Sequence, residues 1–124
     1  MRLILNLLWA TLGGGFFTAL EYLLAGVVSC ATVVGIPFGV QCFKLAGVAL
    51  FPFGKDIDES SHGLATMPFN LVWFVLAGVW IFLTHLSLAI ACAATIVGIP
   101  FAVQHLKLGL VALTPFGSRV RVVA

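Results

Sequence analysis

Residues 31–54 read ATVVGIPFGVQCFKLAGVALFPFG, and residues 94–117 read ATIVGIPFAVQHLKLGLVALTPFG. At a constant offset of 63 the two stretches agree at 17 of 24 positions. The chain is therefore a tandem duplication, and a repeat must be found before any other feature can be placed in a fold. The likeness runs further upstream in a looser form. Asn6-Leu-Leu-Trp9 answers to Asn70-Leu-Val-Trp73 at an offset of 64, so one residue is gained or lost in between. This divides the chain into a first repeat over 1–54, a linker over 55–69, and a second repeat with a short basic tail over 70–124. Such duplications are frequent in transporters, and they also occur in proteins that transport nothing.

Within one repeat the pattern has three parts. The first is an apolar segment without internal proline, Leu3–Val34 or Phe69–Val97. A membrane span needs about 20 apolar residues, and 30 helical residues reach about 45 Å, so the helix is long enough to tilt, project or bend. Gly13-Gly14-Gly15 offers a bend in the first repeat, where the second has Leu76-Ala77-Gly78. The second part is Gly-Ile-Pro, Gly35–Pro37 and Gly98–Pro100. Glycine suits a helix C-cap and proline the first turn of the next helix, so Gly35, Pro37, Gly98 and Pro100 read as hinges of a sharp break. The third part is a short helix, Pro37–Phe51 or Pro100–Thr114, stopped by Pro-Phe-Gly. At about 22 Å it either completes a hairpin of two spans or lies re-entrant at the interface.

The expected fold is thus an all-α integral membrane protein, with about four membrane segments in two copies of one unit. Composition agrees. Of 124 residues, 62% are hydrophobic and 8% charged, against about 45–50% and about 25% in soluble domains. Leu3–Phe53 holds only Glu21 and Lys44, and Gly63–Gly117 only Lys107. A soluble chain this small has too little other polar surface to face water. Arg2 followed by Leu3–Leu12 has the look of a signal peptide, but its counterpart recurs at Asn70 in mid-chain, so Met1–Leu20 reads as a retained membrane segment. Arg2, Arg119 and Arg121 favour cytoplasmic termini. The closely matched short helices favour two parallel hairpins, with the linker on the same side as both termini.

The polar residues inside these apolar stretches are the candidates for function. Gln41 and Lys44 share a helix face, as do Gln104 and Lys107. These four are the lining candidates for a polar path; otherwise the lysines snorkel to headgroups. Glu21 and His85 mark a second candidate, an intramembrane charge site, or else interfacial anchors. His85, His105 and His62 show no metal-ligand spacing. Cys30, Cys42 and Cys92 lie singly, without the spacing of a zinc site or a disulfide framework. No metal or cofactor is expected. Trp9, Trp73, Trp80 and Tyr22 suit interfacial belts or packing, and small residues four apart, such as Ala25 and Ser29, suit close helix approach. A net charge of +2 without a basic run points to no nucleic-acid partner. No hydrolase, P-loop or dinucleotide fingerprint is present, so no enzyme is expected.

The paired Val-Gly-Ile-Pro-Phe…Gln…Lys-Leu…Ala-Leu…Pro-Phe-Gly motifs, each preceded by Asn-Leu-x-Trp, resemble the YccF family of bacterial inner-membrane proteins over about Asn6 to Gly117. The resemblance implies two copies of one small membrane domain in the bacterial inner membrane. It carries over no defined activity and no catalytic residue. With so few helices, one chain encloses no wide path. The sequence therefore favours a homo-oligomeric pore or small channel in the lipid bilayer. A non-conducting scaffold for an unknown membrane partner and a small secondary transporter are the alternatives.

Overall fold

The structure is a computed structural model and describes residues 1–59 and 62–122. Its helices are α1 (Arg2–Leu12), α2 (Gly15–Ala31), α3 (Ile36–Leu50), α4 (Met67–Trp73), α5 (Val79–Ala93) and α6 (Ile99–Leu113), with a π-helical stretch, Phe74–Gly78, joining α4 to α5. Two short strands, β1 (Lys55–Asp58) and β2 (Arg119–Val122), pair as a ribbon. The chain divides into one unit made chiefly of Met1–Lys55 and another, Asp56–Arg121.

Each unit is a helical hairpin. In the first, Gly39 of α3 packs on Gly26 and Cys30 of α2, the Phe43 ring lies over Gly26, and Trp9 and Asn6 reach Ala49 and Phe53. Residue numbers fall on one arm as they rise on the other, so the arms are antiparallel. The second unit repeats the arrangement: Gly109 packs on Phe82 and His85, Gly78 on Ala112, and Asn70 reaches Phe116. Each hairpin therefore returns the chain to the end at which it started.

The tip of each hairpin is built the same way. Thr32 Oγ1 donates to Ser29 O (2.8 Å) and accepts from Gly35 N (3.2 Å); Thr95 Oγ1 does the same with Cys92 O (3.0 Å) and Gly98 N (3.1 Å). This corrects the reading of the break. Gly35 and Gly98 are not C-caps but stand at the N-caps of α3 and α6, with proline in the first turn. They are glycine because a Cβ there would run into Thr32 Oγ1 and the Ser29 carbonyl, or into Thr95 Oγ1 and the Cys92 carbonyl. The outgoing helices end earlier than expected, at Ala31 and Ala93, where the threonine takes over. At the base, Gly54 and Gly117 each have a φ of +89°, which only glycine adopts readily.

The long arms differ. In the second unit Met67–Ala93 is one helix of 27 residues, about 40 Å long and enough to cross a bilayer. In the first, α1 and α2 meet at 72°. Helical phase explains this. From Trp73 to His85 is twelve steps, which in a pure α-helix leaves them about 120° apart. A π turn absorbs one residue, bringing both to one face within about 20°. From Trp9 to Tyr22 is thirteen steps, a mismatch of about 220° that one π turn does not absorb. The chain breaks instead. Gly14 takes φ +86°, and a Cβ on Gly15 would strike the Trp9 indole. The expected glycine bend is thus present, and its cause is the extra residue.

The ribbon was not expected from an all-α reading. Lys-Asp-Ile-Asp and Arg-Val-Arg-Val alternate with period two and carry opposite charge, which suits paired strands. Ser60 and Ser61 of the linker and the last two residues of the tail lie outside the described residues. Much of the surface is apolar: Leu3, Val33, Val34, Leu76, Ile96 and Val97 are each at least 70% exposed, as lipid-facing side chains would be.

Candidate functional site

The motif residues that made the repeat recognisable form a clasp at the base of each hairpin. Asn6 Nδ2 donates to Phe53 O (3.1 Å) and Asn6 Oδ1 accepts from Phe53 N (2.9 Å). Asn70 does the same with Phe116, at 2.9 Å both ways. One helical turn on, Trp9 Nε1 donates to Ala49 O and Trp73 Nε1 to Ala112 O, each at 2.6 Å. Ala49 and Ala112 are the penultimate residues of α3 and α6. A helix end leaves its last carbonyls without intrahelical donors, and the indoles supply them. Trp9 is fully buried and Trp73 nearly so, so these two are packing residues; Trp80 is 65% exposed and suits the lipid boundary.

Further up the hairpins lie the polar candidates. Gln41 and Lys44 are half-buried on the flank of α3, and Gln104 and Lys107 on the flank of α6. Each Gln–Lys pair stays on one side of its helix, as the spacing of three requires. Gln41 Oε1 and Gln104 Oε1 are both buried without a hydrogen-bond partner. Lys107 lines a shallow pocket with Ile57, Glu59, Leu110 and Val111, so an acidic residue that follows β1 opens on the same pocket. In the first unit Lys55 Nζ reaches back to donate to Gly47 O at 2.7 Å, and its burial lowers its pKa from the ordinary lysine value.

The structure does not make Glu21 and His85 equivalents. Glu21 is exposed on α2, and its counterpart at offset 63 is Thr84, also exposed. His85 is buried, and its Nδ1 lies 3.1 Å from Nδ1 of His105, with ring centroids 5.3 Å apart. The sequence reading missed this pair because it sought ligand spacing along one strand of chain. The signal lay in the repeat: at offset 63 His85 and His105 fall on Tyr22 and Cys42, which are both buried, one on each arm of the first hairpin. The histidine pair bridges the two arms of its own hairpin. Among the described residues no group of three His, Cys, Asp or Glu side chains is placed to hold a metal ion.

The class this defines is an α-helical protein of duplicated apolar hairpins with a polar middle. The YccF family, described as an inner membrane component domain, matches the chain twice, over residues 4–55 and 68–118. The chain belongs to that family. It is 32% identical over 130 residues to inner membrane protein YccF of Escherichia coli K12, covering 97% of this chain and 87% of the relative, and the Shigella flexneri protein of the same name gives the same figures. No solved structure matches.

Proposed function

We propose that this protein is a non-enzymatic, multi-pass subunit of the bacterial inner membrane that assembles with copies of itself into a small pore, with the Gln41–Lys44 and Gln104–Lys107 flanks lining the path. The observation that carries this reading is the pair of unpartnered amide oxygens, Gln41 Oε1 and Gln104 Oε1. A buried acceptor without a donor costs about 1–3 kcal/mol. That both repeats hold one at the same position, a turn from a half-buried lysine, indicates a donor that arrives on assembly. Water in a narrow path is such a donor, and the lysines give the path a preference for anions.

The hairpin geometry supports a further detail. Each unit enters and leaves at its clasp, where Arg2, the linker charges, Arg119 and Arg121 stand, while its tip carries no charge. That arrangement and the positive-inside rule support a reading with four membrane segments and with linker and both termini on the cytoplasmic side.

Single-channel recording of the purified protein in planar bilayers tests the proposal. Discrete anion-selective steps are expected, with conductance and anion preference both falling in the Lys44→Gln/Lys107→Gln double variant. Folded, oligomeric protein that passes no current would overturn the pore. The Gln41 and Gln104 amides would then be sought as hydrogen-bonding contacts to a separate membrane partner.

A further inference from the structure

We propose that His85 and His105 form a proton-binding site inside the second hairpin, taking up one proton per chain between the two imidazoles. The first hairpin has no such site. This goes beyond the pore reading and does not rest on it, because its measure is proton uptake rather than current.

Two Nδ1 atoms 3.1 Å apart hydrogen-bond only if one ring carries the proton on Nδ1 and the other presents a lone pair there. In the neutral pair the donor ring is therefore the Nδ1–H tautomer, with a lone pair on Nε2, and the acceptor ring carries its proton on Nε2. A proton taken from water adds to Nε2 of the donor ring. It leaves an imidazolium whose Nδ1–H still points at a neutral Nδ1. That bond is now charge-assisted, and such bonds are roughly twice as strong as neutral ones. A second proton would place N–H against N–H and break the contact. The geometry thus fixes the stoichiometry at one.

The pair's own two helices carry few formal charges. Within Met67–Ala93 and Ile99–Leu113 there is no carboxylate, and Lys107 is the one side chain with a formal charge. Lys107 is two residues beyond His105, about 200° round the helix, on the flank that lines a shallow pocket with Leu110 and with Glu59 from the linker. On α5, Cys92 lies on the same face as His85 but about 10 Å along the helix. On α6, Gln104 is neutral. The π-helical stretch, Phe74–Gly78, holds no titratable side chain. His105, with its Nδ1 3.1 Å from that of His85, is placed to respond when His85 takes a proton, and the reverse. Buried ionisable groups in membrane helices are costly, and two that meet across a hairpin mark a site by default.

The first hairpin supplies the control. Tyr22 and Cys42 occupy the same two positions in the same helix pair, so a Tyr–Cys couple is compatible with this packing. A hydroxyl and a thiol present no second basic nitrogen, so that couple binds no added proton near neutrality.

The test is a pH titration of the full chain, labelled with nitrogen-15 histidine and held in lipid nanodiscs, with His62 assigned by His62→Gln. The expected result is one shared transition, amounting to one proton, in the ring nitrogens of His85 and His105 between about pH 9 and about pH 4. A coupling between the two Nδ1 nuclei should persist on both sides of it. In the His85→Tyr/His105→Cys variant the helical circular dichroism should be retained and the transition lost. Should that variant not fold, His105→Gln serves, and His85 should then titrate as a lone ring with a displaced midpoint. Two independent transitions, no transition in that range, no Nδ1–Nδ1 coupling, or a transition that survives loss of both rings would overturn the proposal.

Discussion

The two hairpins share their ends and differ in their middles. At the base both have the Asn–Trp clasp, with asparagine bonded twice to the phenylalanine of Pro-Phe-Gly and an indole capping the penultimate alanine of the short helix. At the tip both have the threonine-to-glycine turn. Between these fixed points the long arm is bent at 72° in one and continuous through a π turn in the other. The two equivalent buried positions hold Tyr22 and Cys42 in one and the bonded pair His85 and His105 in the other. Base and tip therefore define the fold, whereas the route between them tolerates an inserted residue and a change of chemistry.

If that is right, the largest effect should come from the clasp, and equally in both units. Trp9→Ala and Trp73→Ala each empty a buried site and leave a helix-end carbonyl without its donor; each should lower stability by about 3–5 kcal/mol, read by reversible denaturation in mild detergent. A marked inequality would break the equivalence of the two bases. A smaller effect separates the units. Gly14→Ala forces a side chain into the left-handed region and should cost about 1–2 kcal/mol. Deleting Gly14 gives the first unit the twelve-step spacing of the second, and should straighten the arm. Spin labels at the exposed Leu3 and Leu24 should then move apart in a double electron–electron resonance measurement. An unchanged distance would show that the bend has another cause than helical phase. Least of all should be Arg121→Ala. Its pair with Asp56 spans 3.4 Å with both side chains more than half exposed, so the change in stability should stay within about 0.5 kcal/mol.

Much of this architecture was legible in the chain because it was written twice. Gly-Ile-Pro and Pro-Phe-Gly at a constant offset located the tips and bases, and the short helices, expected over Pro37–Phe51 and Pro100–Thr114, run from Ile36 to Leu50 and from Ile99 to Leu113. What stayed hidden depends on side chains meeting across the hairpin. Asn6 and Trp9 were visible as a motif, but bonds to carbonyls some 40 residues away leave no periodicity to read. Thr32 and Thr95 were passed over because a hydroxyl that ends a helix looks the same in sequence as one that does not. The histidine pair was obscured by a search for metal spacing, although aligning the repeats already placed it on Tyr22 and Cys42. The ribbon escaped because four-residue strands, one in the polar linker and one in the basic tail, carry little signal.

Whether both hairpins are closed by the same clasp can be read from hydrogen exchange of the three indole N–H groups, followed by NMR in lipid nanodiscs. The account predicts slow exchange and hydrogen-bonded shifts for Trp9 and Trp73. In Asn6→Ala protection should be lost chiefly at Trp9, in Asn70→Ala chiefly at Trp73, with Trp80 unchanged in both. Rapid exchange at either clasp tryptophan in the unaltered protein, or a response to asparagine replacement in the wrong unit, would contradict it.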